Sequence, residues 1–397
     1  MNLNPKKIIA LLILFFTASN AAEVKIDSYG YVGAFFNQGF QGSDTSVIGL
    51  SARGGANFYF DNGLTLGLGA VGSWAAYDKN ASFGGLGDKY TSSQYPNTGD
   101  VSDAFLRYSG NKWSLSFGRY DASFLGFDWL NGINTQGLAI KVFNLFKKDS
   151  IKKFDLWITY FNSILTTGYQ KNRLGSELGT MYAYHPNGKS SFVGKDGNVV
   201  ALGANMNFYN FELDPYFLFN NSFYGNNDLL LQGGVKLGYE FNFASNWSSA
   251  TYLNTLLQFA PKYGSSDLGF LTWIDEELRY KNWVQFGLGF YFAGGQNIYA
   301  ISDISRFYGK WVSAFKNSYF DKDLFSFYLF SSFNVLNDNL NIDFIGGIGN
   351  YSELSLVLKG TVWRYSSLKA EVGSGYVYSN FAKKSSGNLL VFTILKY

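Results

Sequence analysis

The chain of 397 residues contains no cysteine. That excludes disulfides, thiol catalysis, thiolate-held metal and a lipid anchor on cysteine. Histidine occurs once, as His185, beside Pro186-Asn187-Gly188. A single imidazole in a turn-like stretch, with no serine or acid whose proximity the sequence establishes, supplies no acid–base pair. There is no nucleotide-binding loop and no transition-metal cluster. The sequence therefore offers no catalytic residue, no metal site and no cofactor. Acidic residues such as Asp100 and Asp267 have the oxygens that Ca²⁺ takes, without a further sign of a site. Charged residues are only 15% of the chain, against about 25% in soluble domains. The formal net charge is +3, with no basic cluster, which argues against nucleic acid as a partner. Past the N-terminus no apolar run reaches about 18 residues, so the sequence carries no transmembrane helix. The mean hydropathy of -0.05 agrees.

Aromatic residues, by contrast, are 19% of the chain, and glycine reaches 45 residues. The apolar residues recur with period two. In the stretch 229–243, Leu229, Leu231, Val235, Leu237, Tyr239, Phe241 and Phe243 share one parity. Gln232, Lys236, Glu240 and Asn242 share the other. A strand written this way has one oily and one wet face. Many such strands, with few charges on the oily parity, predict an all-β protein: a transmembrane antiparallel barrel with lipid outside and water inside.

The N-terminus reads as a secretory signal peptide over 1–22, with cleavage after Ala21 or Ala22. Lys6 and Lys7 form its basic region, residues 8–16 its apolar region, and residues 17–22 its small or polar end. The barrel is expected over 23–397. Eighteen strand candidates follow, from 24–36, 46–60 and 63–77 through 101–108, 112–120 and 136–146 to 388–397. Sixteen is the alternative, if two short strands merge or drop out. From the second strand on, connections alternate short and long. Residues 61–62 and 109–111 are short, while 79–100, 164–197 and 293–324 are long. That predicts short periplasmic turns and long extracellular loops, with both termini periplasmic.

The local sequence over 101–120, VSDAFLRYSGNKWSLSFGRY, resembles a hairpin frequent in Gram-negative outer-membrane porins. The whole chain resembles that family in pattern: the eighteen-stranded substrate-specific porins, and more loosely the porin-like outer-membrane proteins of epsilon-proteobacteria. The C-terminal strand ending on Tyr397 is similar to the signal such barrels show to their insertion machinery. The resemblance implies an outer-membrane location, contact with outer-membrane lipid, and passive diffusion of ions and small hydrophilic solutes. It makes a homotrimer plausible, with a monomer as the alternative. It also implies that the next segment, 121–135 (DASFLGFDWLNGINT), folds into the pore. The segment lacks the tight acidic cluster of well-known porins, so the resemblance assigns no ion preference. The rival reading is an adhesin or surface-interaction barrel acting through its long loops.

Strand parity then sorts the charges, since Lys or Arg on the lipid face costs about 2–4 kcal/mol at mid-membrane. Ala104, Leu106 and Tyr108 face lipid, so Asp103, Phe105 and Arg107 face the lumen. Strict parity turns Arg119 outward; a bulge at Gly118, which the family match favours, would turn it inward. Arg107, Arg119, Asp103, Asp121 and Asp128 are the expected constriction residues. Arg53, Lys141, Lys236, Glu240, Asp275, Glu277 and Arg279 belong to the lumen wall. Lys153, Asp155, Glu212, Asp214, Lys281, Asp343, Glu353, Lys359, Lys369 and Glu371 join them. Glu276 falls awkwardly on the lipid parity, which places it near an interface or requires a register shift. In 293–324, the three- and four-residue spacing of Ile301, Ile304, Phe307, Trp311 and Phe315 predicts a short amphipathic helix. It packs either into the barrel mouth or over the outer surface.

Overall fold

The structure is a computed structural model that describes residues 24–40, 46–79, 98–146, 150–166, 198–223, 228–261, 268–299, 306–309, 320–337, 339–380 and 385–397. The expected signal peptide, His185 and Asp267 lie outside these residues, as do Ile301, Ile304, Trp311 and Phe315 of the expected helix. The side chain of Asp100 is not described.

Eighteen strands form one antiparallel sheet. They are β1 (Val24–Phe40), β2 (Ser46–Phe60), β3 (Leu64–Lys79), β4 (Thr98–Ser109), β5 (Trp113–Asp121) and β6 (Ile133–Val142). Next come β7 (Ile151–Thr166), β8 (Val199–Phe208), β9 (Phe211–Phe223), β10 (Asp228–Ala244), β11 (Trp247–Phe259) and β12 (Leu268–Tyr280). The last are β13 (Val284–Gly294), β14 (Leu324–Val335), β15 (Leu340–Gly349), β16 (Glu353–Tyr365), β17 (Leu368–Ser379) and β18 (Ser386–Lys396). Each strand pairs with its neighbours in sequence, and β1 pairs with β18 from Tyr31↔Lys396 to Phe40↔Gly387. Closure leaves no sheet edge, so every backbone ladder is satisfied within the chain. Tyr397 completes the seam by exchanging backbone hydrogen bonds of 3.1 and 3.2 Å with Gly30.

Polarity is inverted relative to a soluble fold. Leu237, Tyr239, Phe241, Leu257, Leu288, Phe327 and Leu354 are exposed on the outer face. Asp103, Lys141, Asp155, Asp275, Glu277, Asp343, Glu353 and Glu371 are buried within. So much contiguous exposed apolar surface has no place in water and fits lipid. Aromatic rings gather at one end. Trp113 lies against Tyr108, Phe211 against Tyr239, Trp247 against Tyr280, and Trp363 against Tyr365. All lie next to turns such as 110–112, 209–210, 245–246 and 366–367, a girdle at that interface. The longest connections, after β3, β7 and β13, all leave from the opposite end. Two connections at that end, 224–227 and 350–352, are short, so the alternation is not uniform.

Two expectations shift locally. β6 starts at Ile133 and ends at Val142 rather than reaching 146, because Asn144 takes φ 50 and its N–H turns to the Asp155 carboxylate. β4 carries a bulge between Val101 and Asp103 against β3, which turns both Ser102 and Asp103 inward.

Candidate functional site: two segments inside the barrel

The connection after β5 opens with Asp121. Its carboxylate accepts from the Ser123 N–H (2.8 Å) and hydroxyl (2.5 Å), capping the 3₁₀ turn Ala122–Leu125. Gly126 ends that turn at φ 75, where a Cβ would also strike Asn205. A second turn, Asp128–Leu130, follows, and the Gly132 N–H returns to the Ser123 hydroxyl at 2.8 Å. The segment lies along inward-facing side chains of β6 to β10. Lys141 donates to the Phe124 and Leu125 carbonyls at 2.9 and 3.0 Å. Asn205 donates to the Gly126 carbonyl at 2.9 Å. Phe127 sits between Trp157 and Tyr216, with ring centroids 4.9 and 4.6 Å away. Lys236 bridges Asp128 (3.3 Å) and Glu212 (3.1 Å).

At the root of this segment, Arg107 points inward from β4. Its Nε donates to the Ser116 hydroxyl at 2.7 Å and Nη2 to the Asp121 carbonyl at 3.5 Å. Its guanidinium lies 4.0 Å from the Phe124 ring centroid. Asp103 is inward too, but saturated: Arg53 (2.8 Å), Ser102 (2.6 Å) and Asn134 (2.9 Å) all reach its carboxylate. The inward turn of Arg119 does not occur. Gly118 takes φ 108, yet β5 keeps its register with both neighbours. Arg119 therefore pairs across the outer face with Ala104 and Gln136, donating to the Val101 carbonyl (2.7 Å) and the Gln136 amide oxygen (3.0 Å). Glu276 also stays outward without a register shift. The Ser249 and Thr251 hydroxyls of β11 donate to its two carboxylate oxygens, which offsets the cost of that position.

The connection after β13 contributes the second inward segment. Its first stretch docks on amide side chains. Gln232 donates to the Tyr299 carbonyl and Gln258 to that of Asn297, at 2.8 and 3.0 Å. Residues 306–308 are not α-helical and lie deep against β12 to β16. Arg306 is fully buried and pairs with Asp275 (Nε to Oδ2, 3.4 Å) and Glu277. Phe307 packs on Tyr291, Tyr328 and Tyr351. The Tyr308 hydroxyl donates to Asp343 at 2.7 Å, and the Tyr308 and Gly309 N–H groups donate to Glu353, each at 2.8 Å. Gly309 comes so close to Tyr351 and Ser379 that a Cβ would collide with their hydroxyls. The two segments approach each other where Trp129 meets Phe320, 5.7 Å between centroids.

The wall charges named from parity lie on the inward face except Lys281, which takes φ 49 in the turn after β12 and is exposed beside Tyr280 and Trp283. Those whose ion pairs are described are mostly paired within the chain. Arg279 bridges Glu277 (2.6 Å) and Glu240 (3.2 Å), and Lys141 lies 3.4 Å from Asp155. Lys369 and Lys396 both reach Glu371 at 2.6 Å. Sequence reasoning missed Arg306, Tyr308, Asn205, Trp157 and Tyr216. For the last three, alternation gave the face without the partner. Arg306 sits in a connection, where no periodicity reports on it.

Solved structures share the architecture. Acinetobacter baumannii OccAB2 is similar with a TM-score of 0.64 at 12% identity, covering 94% of this chain and 98% of that one. The outer membrane protein OpdK from Pseudomonas aeruginosa is similar at 0.64 and 13%, covering 94% and 99%. Pseudomonas aeruginosa OprD follows at 0.61 and 11%, covering 96% and 98%. No family model and no curated protein sequence matches the chain.

Proposed function

We propose that this protein is an outer-membrane porin. It gives ions and small hydrophilic solutes a passive path through a polar lumen that the segment 121–135 narrows. The carrying observation is the inversion of polarity combined with that segment: an apolar outer belt, a charged interior, and a connection docked on the inner wall from Lys141 to Lys236. A barrel of this strand number has room for an aqueous channel, and diffusion along it needs neither catalyst nor cofactor. Arg107 is the constriction residue this reading weights most. It brings a cation inward whose hydrogen-bond partners, the Ser116 hydroxyl and the Asp121 carbonyl, are neutral. Asp103 is neutralised by Arg53, and Asp121 and Asp128 shape the segment.

The same reading includes export on a signal peptide cleaved after Ala21 or Ala22. It includes insertion through the C-terminal strand ending on Tyr397, and a homotrimer as the assembly. Refolded protein in planar bilayers tests the function. Discrete conductance steps are expected. A barrel that folds but stays closed, and binds a surface partner through its loops, would favour an adhesin instead. Folding is checked separately: an intact barrel resists SDS until boiled, then shifts on the gel.

A further inference from the structure

The wall of β12 to β14 contains a recess built from strand residues alone. Asp275 and Glu277 stand two apart on β12 and so point to the same side. Opposite them on β13 are Gly289 and Gly287. A Cβ at Gly289 would strike Asp275 and Tyr328, and one at Gly287 would strike Phe330. The two glycines therefore open a trough between the carboxylates and the rings of β14. Phe330 supplies a flat face. Tyr328 donates to Asp275 and is joined by the Trp273 indole N–H, which steadies that carboxylate. Arg279 and Gln285 both hold Oε2 of Glu277, which leaves Oε1 turned to the trough.

Two buried carboxylates facing one flat aromatic ring describe a site for a planar cation with forked N–H donors. We infer that this recess is a binding site for the guanidinium group, and that Arg306 of the chain itself occupies it as a tethered ligand. Arg306 reaches Asp275 through Nε and Glu277 through Nη2, and its Cζ lies 3.8 Å from the Phe330 centroid. Asp275, Glu277 and Phe330, the described groups around the guanidinium, all belong to the wall, and Arg306 supplies the cation. An ammonium has the charge but neither the plane nor the fork, so it is a poor substitute. A free guanidinium compound entering an emptied recess meets the same carboxylates and the same ring.

The test empties the recess with Arg306→Ala. The refolded barrel in detergent is heated in SDS, and the temperature at which it loses its folded mobility is recorded. Methylguanidinium chloride is the probe, and tetramethylammonium chloride is the control of equal charge. Methylguanidinium is expected to raise the variant's transition, increasingly with concentration. Tetramethylammonium is expected not to, and wild type to respond to neither. A variant that answers both salts alike, or neither, overturns the proposal. Should the single variant fail to fold, Arg306→Ala with Glu277→Gln leaves one carboxylate bare. That variant must still discriminate the two salts, with a smaller rise, or the recess is refuted. The readout needs no conductance, so a barrel that binds methylguanidinium but never conducts would count against the porin alone.

Discussion

The two inward segments are held by opposite chemistry. Over 121–135 the wall provides the donors, Lys141 and Asn205, and the segment provides the Phe124, Leu125 and Gly126 carbonyls. Around 306–309 the wall provides the acceptors, Asp275, Glu277, Asp343 and Glu353, and the segment provides a cation, a hydroxyl and two N–H groups. Charge on the inner wall is thus of two kinds. Some of it receives a segment, and is spent on that contact before any ion arrives. The remainder faces the channel. Parity separates inside from outside, but it does not separate these two kinds.

If that division is right, Arg306→Ala has the largest effect. It takes the Arg306 cation away from buried Asp275 and Glu277, of which Glu277 keeps Arg279. Breaking such a buried contact costs about 3–5 kcal/mol, read as a lower heat-modifiable transition. The substitution also removes one positive charge from beside those acids, so the reversal potential in a salt gradient should move toward cation preference. An unchanged transition and reversal potential would place the pair outside the barrel's energetics. On the other side, Phe127→Ala removes the ring between Trp157 and Tyr216. About 3 kcal/mol of packing is lost, with the strands untouched. The expected sign is new protease cleavage within 121–135 while the barrel keeps its folded mobility. Lys236→Met is milder, below about 1 kcal/mol, because its ion pairs with Asp128 and Glu212 keep partial solvent exposure. Loss of the whole docked segment in that variant would show that the ionic contact, and not Phe127, anchors it.

Strand number, order and facing were legible because lipid on one side and water on the other write themselves on alternate residues. Strands such as Ser46–Phe60 and Trp247–Phe259 run where alternation placed them. Strict parity had Arg119 outward, and it was misread as inward because the family resemblance favoured a bulge at the neighbouring glycine. Gly118 adopts φ 108 while still opposing Phe105 and Gly137, so no residue is added and parity continues. Arg306 was not legible at all. Its partners, Asp275 and Glu277, come from a strand about thirty residues earlier, and only the closed barrel brings the connection back over them. Glu276 was rightly marked as awkward. Its answer, two hydroxyls on β11, is a cross-strand contact that no single-strand pattern records.

The smallest predicted effect tests which arginines the channel feels. Arg107 and Arg306 both lie inside, yet only Arg306 meets carboxylates; the partners of Arg107 are a hydroxyl, a carbonyl and aromatic rings. Asp121 and Asp103 act on it only through space, without a direct ion pair. Removing it by Arg107→Ala should move the reversal potential toward cations, as Arg306→Ala does, since each substitution takes one positive charge from the lumen. The barrel should keep its gel mobility. Arg119, on the neighbouring strand, faces the opposite way, outward beside Gln136. Arg119→Ala should leave the reversal potential where it was, because the wall and its ladder of strands stand between that charge and the permeating ion. A shift in Arg119→Ala equal to that in Arg107→Ala would mean that the pore reads the barrel's overall field. The contrast between spent and channel-facing charge would then fail.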